Sequence, residues 1–285
     1  MEGSAWSFDK IPLIVRVNSM NRPEESRPRQ KNAENMSDQE RDMVTGRNAV
    51  GEAVKAGRSL DHVLVAKGER SGSIVPILAA CRDRGIPIKE VDSRKLDQLC
   101  GPHHQGIAAV AACREYASLD DLFAAAEKAG EPPFFVVCDG IEDPHNLGAI
   151  LRSAEAAGVH GVIVPKRHNA GLTSAVYKAS AGAVEYVPVA RVANITQTLL
   201  ELKKRGVWVY GLDMDGEAWC TADLRGAAAL VVGSEGQGIS RLVRETCDHL
   251  VSLPMCGHIE SLNASVACGI LLYEGLRQRR NLKAR

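Results

Sequence analysis

Three glycine-containing segments in the carboxyl-terminal half carry polar side chains suited to chemistry. They are DGIEDPHNLGAILRSAEAAG at 139–158, LVVGSEGQGIS at 230–240 and LPMCGHIESLNASVACGILLYE at 253–274. Each follows an apolar run and precedes a helical pattern, so each predicts a strand that turns into a helix. Glycine lets such a turn approach a ligand closely and expose its backbone N–H groups. The segments therefore predict a binding site built from strand-to-helix turns.

The first segment places two candidate side chains on one predicted helix. Leu147, Ile150 and Leu151 form its buried stripe, and Arg152 projects from the opposite side at about 100° per residue. Asn146 stands where a helix cap is expected. On spacing alone, a solvated arginine and a simple cap remain open beside roles in catalysis.

The second and third segments leave similar alternatives. Gly233, Gly236 and Gly238 form a GxxGxG pattern that resembles a permuted dinucleotide fingerprint, but it lies near the end of its domain. Glu235 within this turn would repel a pyrophosphate, and a plain strand-to-helix connection is equally compatible. Ser261 can cap the last helix, and the chain has no GxSxG elbow, which disfavours a serine hydrolase.

The elements that must position these segments alternate between strand and helix over residues 133–285. The candidate strands are continuously apolar, as expected for parallel strands covered on both faces, and the alternation predicts an α/β fold. The predicted strands cover 134–139, 161–165, 184–189, 207–213, 229–233 and 250–255. The predicted helices cover 147–157, 173–182, 195–205, 240–247 and 262–279.

Three further regions precede this domain. Residues 43–116 alternate helical and strand patterns and predict a small α/β domain. Residues 117–132 are acidic and alanine-rich, which predicts a linker. Residues 1–42 are highly charged, and from Asn18 to Asp42 the only strongly apolar residues are Met20 and Met36. We therefore expect a disordered tail, because such a segment buries too little surface to offset its ordering entropy.

The composition excludes several classes of protein. The chain has 285 residues, 45% of them hydrophobic and 25% charged, and a formal net charge of +0, which is typical of a soluble globular protein. No apolar run approaches the roughly 18 residues of a membrane span, and the first apolar stretch is too short for a secretory signal. The 8 cysteines are far apart without a CxxC pair, which disfavours zinc or disulfide frameworks and predicts a cytoplasmic protein with reduced thiols.

The three segments together resemble the motifs of a known superfamily. NLGAILRSAEAAG, LVVGSEGQGIS and LPMCGHIESLNASVACG are similar, in this order, to the motifs of the TrmH-type RNA 2′-O-ribose methyltransferases of the SPOUT superfamily. TGRNAVGEAV and HHQGIAA resemble the substrate-binding domain of the RlmB-like subgroup, which methylates a guanosine of large-subunit (23S) ribosomal RNA. The resemblance covers residues 44–280. Leu253 and Ala264 replace the usual Ile and Val, and both keep apolar character.

The resemblance implies a fold, a cofactor and partners. The last domain is expected to be a SPOUT α/β-knot with a deep trefoil knot, acting as a homodimer, and the small domain is expected to bind RNA. The expected cofactor is S-adenosylmethionine, and no metal is expected. The implied cofactor-binding residues are Gly233, Leu253, Met255 and Leu262. The implied catalytic residues are Asn146, Arg152, Glu235, Ser261 and Asn263.

The implied reaction is attack by a ribose 2′-hydroxyl on the methyl group of a sulfonium, which needs alignment, proton removal and exclusion of water. A guanidinium hardly deprotonates in proteins, so we expect Arg152 to hold a phosphate and stabilise the developing alkoxide rather than act as the base. Asn146 is expected to orient Arg152, and Glu235 to position that arginine or relay a proton. Ser261 or Asn263 is expected to bind the ribose or the cofactor.

Basic side chains supply candidate contacts to RNA phosphates. For each one alone a solvated face is the more common interpretation, but together they predict salt-dependent binding. The candidates are Arg47, Lys67, Arg70, Arg82, Arg84, Lys166, Arg167, the His103–Gln105 stretch and the basic tail with Arg277, Arg279, Arg280, Lys283 and Arg285.

Three other functions remain open beside ribosomal RNA methylation. A transfer RNA methyltransferase of the same branch would share the catalytic motifs. A non-catalytic RNA-binding protein could keep the fold, although the complete set of candidate residues argues against this. An NAD-dependent oxidoreductase rests on the glycine turn alone and is disfavoured by the absence of GxGxxG after the first strand.

Overall fold

The computed structural model describes residues 43–68, 72–258 and 261–282. The predicted disordered tail at 1–42 lies outside these residues. Within the described ranges, no helix combines the length and apolar character that crossing a lipid bilayer requires.

A four-stranded sheet forms the first α/β unit. Its elements are β1 (Met43–Thr45), α1 (Arg47–Lys55), β2 (Leu60–Ala66), α2 (Ile74–Asp83), β3 (Ile88–Val91), α3 (Ser93–Cys100) and β4 (Ile107–Ala111). Strands β1 and β2 run antiparallel to β4, and β3 runs parallel to β2. The predicted alternation of strands and helices in this region is confirmed.

A six-stranded sheet, parallel throughout, forms the second unit in the order β10-β8-β9-β5-β6-β7. Its strands are β5 (Phe134–Asp139), β6 (Gly161–Pro165), β7 (Val189–Val192), β8 (Trp208–Ala218), β9 (Ala228–Gly233) and β10 (His249–Ser252). The helices that accompany it are α4 (Leu119–Ala129), α5 (Pro144–Ala156), α6 (Ser174–Ala179), α7 (Ile195–Lys204), α8 (Arg241–Thr246) and α9 (Ala264–Arg279). The predicted α/β fold with a parallel sheet is confirmed.

Strand β5 shows why these apolar runs do not alternate with polar residues. Phe134 and Val136 pack into the core on the face covered by α5 and α9, whereas Phe135 and Val137 pack into the core on the face covered by α4 and α7. All four side chains are fully buried. A strand covered on both faces needs apolar residues at every position.

Registers in the second sheet bring the predicted motifs to one edge. Asp139 at the end of β5 pairs with Gly233 at the end of β9, so the turns after these strands leave the sheet side by side. The pairing of β8 with β10 jumps from Gly211 with Leu250 to Glu217 with Val251. Residues 212–216 therefore bulge out of the ladder at the same edge.

Residues 117–132 differ from the predicted linker because they contain α4. Ser118 and Asp121 form a reciprocal capping box at its start, and Leu122 is fully buried against the second sheet. A Cβ at Gly161 would lie 2.1 Å from Cγ of Leu122, so the strand has a glycine where the helix leans on it. This segment packs as part of the second unit.

Three local predictions were wrong. The predicted strand at 184–189 is a 3₁₀ turn at Ala183–Glu185 followed by coil, and β7 begins only at Val189, where pairing with Val162 of β6 starts. The cap of α5 is Asp143 rather than Asn146, with its Oδ1 accepting from the N–H of His145 at 2.9 Å. The cap of α9 is Asn263 rather than Ser261.

Helix α9 buries a face that combines small residues with Leu271 and Leu272. Ala264, Cys268 and Gly275 are buried, and a Cβ at Gly275 would lie 2.6 Å from Cζ of Phe134. The apolar positions Val266, Ile270 and Tyr273 are exposed instead. Close approach of the helix to the sheet requires this choice of face.

The end of α9 is tied to the rest of the unit by Arg279. Its guanidinium lies 4.4 Å from the ring centroid of Phe134 and donates to the carbonyl oxygens of Pro132 at 2.8 Å, Pro133 at 3.1 Å and Leu224 at 2.9 Å. Burial lowers the pKa of Arg279 to about 10, which leaves the group charged at neutral pH.

Candidate active site

Two amides and a carboxylate from three separate segments meet at the carboxyl edge of the second sheet. Nδ2 of Asn146 donates to Oε1 of Glu235 at 3.0 Å, and Nδ2 of Asn263 donates to Oδ1 of Asn146 at 2.9 Å and to Oε1 of Glu235. We call these three residues the triad. Asn146 is buried, whereas Glu235 and Asn263 are exposed. Three of the predicted catalytic residues are therefore hydrogen-bonded to one another.

The starts of two helices position the amides of the triad. The capping bond of Asp143 and Pro144 at the first turn fix the start of α5 and hence the place of Asn146. Asn263 holds α9 because its Oδ1 accepts from the N–H groups of Ser265 at 3.0 Å and Val266 at 3.3 Å. This leaves both Nδ2 hydrogens of Asn263 for the triad.

The turn after β9 carries Glu235 in a closed backbone loop. Ser234 and Gly238 exchange backbone hydrogen bonds of 3.0 and 2.9 Å. A Cβ at Gly233 would lie 2.0 Å from the carbonyl carbon of Gly238, so no side chain fits there. The loop is also held from below, because Oδ2 of Asp139 accepts from the N–H of Ser240 at 2.7 Å.

A cleft of about 330 Å³ opens beside the triad. Its volume lies within the range of small-ligand sites, about 300–1,000 Å³. The predicted site residues that line it are Gly233, Leu253, Met255, Leu262, Glu235 and Ser261. Asn146 and Asn263 do not line it but hold Glu235, which does.

The bulge at 212–216 forms a wall of the cleft that the sequence did not reveal. Leu212, Asp213 and Met214 line the cleft. Arg244 of α8 holds this wall through Nε to Oδ2 of Asp213 at 2.9 Å and Nη2 to Oδ2 of Asp215 at 3.0 Å. Burial raises the pKa of Asp213, but the hydrogen bonds and charge of Arg244 outweigh it and leave that pKa below its ordinary value. The run LDMDG at 212–216 looks like the end of a strand in the sequence. Its place in the cleft wall follows only from the register jump between β8 and β10.

Arg152 stands apart from the other predicted catalytic residues. It is exposed on α5, and its side chain has no hydrogen bond or ion pair within the described ranges. The triad takes up the side chain of Asn146, so the predicted contact between Asn146 and Arg152 is absent. The guanidinium is thus left available to a ligand.

Comparisons with known proteins agree with this arrangement. Residues 133–273 match the SpoU rRNA Methylase family, and residues 43–117 match the family described as RNA 2'-O ribose methyltransferase substrate binding. The chain is 49% identical over 242 residues to "Putative TrmH family tRNA/rRNA methyltransferase YacO" of Bacillus subtilis, covering 85% of this chain and 97% of that protein. The chain belongs to the SpoU/TrmH family of RNA methyltransferases.

Other relatives and solved structures of this family are similar over most of the chain. The "Putative TrmH family tRNA/rRNA methyltransferase" of Staphylococcus haemolyticus is 43% identical over 242 residues, covering 83% of this chain and 96% of that protein. The SpoU methyltransferase AviRb from Streptomyces viridochromogenes, solved in complex with the cofactor AdoMet, has a TM-score of 0.54 and 28% identity and covers 84% of this chain and 90% of its own. The TrmH-type resemblance is confirmed, while the RlmB-like subgroup and the trefoil knot stay predictions.

Several of the basic side chains predicted to contact RNA phosphates already have a partner within the protein. Lys67 pairs with Asp92 at 3.2 Å, Nε of Arg47 donates to the carbonyl of Gln105 at 3.0 Å, and Arg84 donates to the carbonyl of Val54. His104 is buried and lies 3.1 Å from Asp97.

The other predicted RNA contacts include side chains that pair with a carboxylate and side chains that lie outside the described residues. Arg277 pairs with Glu274 and Arg280 with Glu131. Arg70, Lys283 and Arg285 lie outside the described residues. Among the residues that are described, no group of three His, Cys, Asp or Glu side chains is placed to hold a metal ion.

Proposed function

We propose that the chain is an S-adenosylmethionine-dependent RNA 2′-O-ribose methyltransferase that modifies a guanosine of large-subunit (23S) ribosomal RNA. The observation that supports it most is the triad, in which residues from three distant motifs adjoin one cleft at the carboxyl edge of a parallel sheet. Ligands of open α/β sheets bind at this edge. The match of residues 43–117 to the family described as RNA 2'-O ribose methyltransferase substrate binding supports an RNA substrate.

The cleft fits S-adenosylmethionine in its chemistry. Met255 and Leu262 offer partly exposed apolar surface for the cofactor's rings and chain. The closed turn at Gly233 brings backbone to the cleft without an intervening side chain. The carboxylate of Glu235 in the lining has no cationic partner within the described residues and suits a sulfonium cation. AviRb, a member of the same family, was solved with this cofactor. When bound, the cofactor supplies an activated methyl group.

Under this proposal the chain's residues divide the work. Arg152 binds a phosphate next to the target ribose and stabilises the alkoxide that develops at the 2′-oxygen. Glu235, fixed by two amides, orients or accepts the 2′-hydroxyl proton through water. Ser261 lines the cleft, where its hydroxyl would hydrogen-bond the ribose or the cofactor.

Methyl labelling of RNA tests the function and the substrate together. The purified protein is incubated with tritiated S-adenosylmethionine and total RNA from a strain lacking the gene. We expect label in large-subunit ribosomal RNA, mapped to a ribose 2′-oxygen of guanosine, and none with wild-type RNA, which is already modified.

Label in the transfer RNA fraction would overturn the ribosomal substrate and retain the reaction. No label in any RNA, with the cofactor bound, would favour the non-catalytic alternative. Binding of NAD instead of the cofactor in calorimetry would overturn the reaction class.

We also propose that the enzyme is a homodimer joined through the outer stripe of α9, which we define as Val266, Ile270 and Tyr273. These side chains are 50%, 36% and 54% exposed, and they lie on one face of the helix next to the exposed cleft residue Leu262. A contiguous exposed apolar face of this kind indicates an interaction surface. The resemblance to TrmH-type enzymes implies a homodimer, so we propose a second copy of the chain as the occupant of this surface.

Analytical ultracentrifugation tests the dimer. Ile270→Glu should give monomers, because a charge would be buried in the interface. Val75→Glu is the control, since Val75 is an apolar residue on α2 of the first unit that is 51% exposed, more than Ile270. A wild-type monomer at micromolar concentration would overturn the proposal.

A further inference from the structure

A buried polar network joins β2 of the first unit to β7 of the second. Nη1 of Arg191 donates to Oδ1 of Asp61 at 2.9 Å and to its carbonyl oxygen at 2.7 Å. The hydroxyl of Tyr116 donates to Oδ1 of Asp61 at 2.8 Å and accepts from the N–H of Leu172 at 3.0 Å. We call Asp61, Tyr116 and Arg191 the seam network. Because its groups are buried and mutually satisfied, it fixes the two units against each other at this point.

Basic side chains from both units surround a small cavity over this network. His62 and Lys89 come from the first unit, and Lys166, Arg167 and His168 come from the loop after β6. A Cβ at Gly85 would lie 2.7 Å from Nζ of Lys166, so this ammonium group reaches across to the first unit.

The charges of three of these side chains are uncompensated. Within the described ranges, Lys89, Lys166 and Arg167 form no side-chain hydrogen bond or ion pair, and we call them the seam cations. The carboxylate in the cavity lining is Asp61, which Arg191 already neutralises. The seam is thus a site of net positive charge that the fold itself does not use.

The loop that carries Lys166 and Arg167 is bonded to the start of the first motif. Oδ1 of Asn169 accepts from the N–H of Ile141 at 3.2 Å, and the N–H of Ala170 donates to the carbonyl of Ile141 at 2.7 Å. Ile141 leads into α5, which carries Asn146 and Arg152. The seam cations therefore lie beside the segment that enters the candidate active site.

We propose that the seam cations form a phosphate track, along which the backbone of the RNA substrate runs from the first unit to the candidate active site. The proposal rests on the proposed RNA methyltransferase function and adds the route of the substrate. Contacts to phosphates set register and orientation without reading sequence. A track on rigidly joined units would hold one stretch of RNA at a fixed distance from Arg152.

The salt dependence of RNA binding tests the track. The affinity of the full chain for ribosomal RNA from the deletion strain is measured against potassium chloride concentration. For single-stranded RNA the slope of log K against log salt falls by about 0.7 for each phosphate that the protein no longer neutralises. We expect Lys89→Gln with Lys166→Gln to lower the slope by about 1.4, and added Arg167→Gln by about 0.7 more.

The matched control is the double variant Lys128→Gln with Lys204→Gln. These lysines are exposed on α4 and α7, have no ion pair within the described part of the chain and do not line the seam cavity. The control should keep the wild-type slope. In methyl transfer, the seam variant should raise KM for RNA and leave kcat and cofactor affinity unchanged.

The outcomes separate this proposal from the proposed function. An unchanged slope in the seam variant, with a wild type that methylates RNA, overturns the track and leaves the function standing. If the seam variant shows the expected slope change but the wild type transfers no methyl group, the proposed function is overturned and the track stands. Equal slope changes in seam and control variants also overturn the track.

Discussion

The seam network and the triad both combine a carboxylate with hydrogen-bond donors, but only the seam network contains a cation. Asp61 is buried and receives bonds from Arg191 and Tyr116. Glu235 is exposed and receives bonds from two amides, which orient it without cancelling its charge. The first arrangement is closed and stabilises the fold. The second is open on one side, so its charge remains available to a ligand.

Removal of the cation from the seam should have the largest effect on stability. Arg191→Ala leaves Asp61 buried beside a vacated guanidinium site, and breaking such a pair costs about 3–5 kcal/mol of unfolding free energy. Urea unfolding measures this loss. The double variant Asp61→Ala with Arg191→Met should lose less, because no charge is left buried. Equal losses in both would contradict a closed network.

Arg152→Lys tests the open side of the comparison. The variant keeps the charge but loses the planar fork, so we expect turnover to fall about 10²–10³-fold, or about 2.7–4 kcal/mol of transition-state stabilisation. Because Arg152 is exposed and unpaired within the described residues, unfolding should change by less than about 0.5 kcal/mol. Single-turnover methyl transfer with matched urea curves measures both. Near-normal turnover would remove the role of the fork.

Glu235→Gln should separate activity from stability more finely. The amide keeps the shape and loses the charge, so turnover should fall about 10²-fold if the carboxylate handles the proton. The free energy of unfolding should change by about 0.5 kcal/mol or less, since the group is exposed. Asn146→Ala should lower turnover in the same direction by releasing Glu235. A strongly destabilised Glu235→Gln protein would show that the triad is a structural network like the seam.

Acid should weaken the seam with the smallest effect of the four. Burial raises the pKa of Asp61, but His62, Arg191 and Tyr116 outweigh it and hold that pKa below its ordinary value of 3.8. A carboxyl whose pKa is lower in the folded state adds stability above about pH 4, and this stability is lost as pH falls through the folded value. Urea unfolding from pH 6 to pH 3 should show a steeper loss in the wild type than in Asp61→Asn. Parallel curves would contradict it.

The local pattern of apolar residues predicted much of the fold, but it failed where pairing with a distant strand or helix decides the structure. The runs at 134–139 and 161–165 are strands with the predicted bounds, because a continuously apolar run suits a strand buried on both faces. The run at 184–189 looks similar, yet Tyr186 is exposed and pairing with β6 begins only at Val189. Helix α9 depends on distant packing in another way, because the close approach of Gly275 to Phe134 decides which face of the helix is buried.

The candidate site shows the same limit. The motifs named the three triad residues, but their mutual bonds join positions 89 and 117 residues apart, which no local spacing can predict. The wall at 212–216 needed the register jump between β8 and β10. Asp61 and Arg191 of the seam network are 130 residues apart and belong to no sequence motif, so nothing in the sequence indicated that they pair.

Arg279, near the end of α9, has a consequence for degradation of the protein in the cell. Arg279 binds carbonyl oxygens of the segment entering β5 and of the turn before β9, so one side chain joins three stretches of backbone. Exopeptidase trimming from the carboxyl terminus should therefore leave the protein resistant to degradation until this residue is removed. Beyond it, the carbonyl oxygens in these two stretches, before β5 and before β9, lose their donor together, and the helix that carries the dimer stripe becomes a starting point for proteolysis.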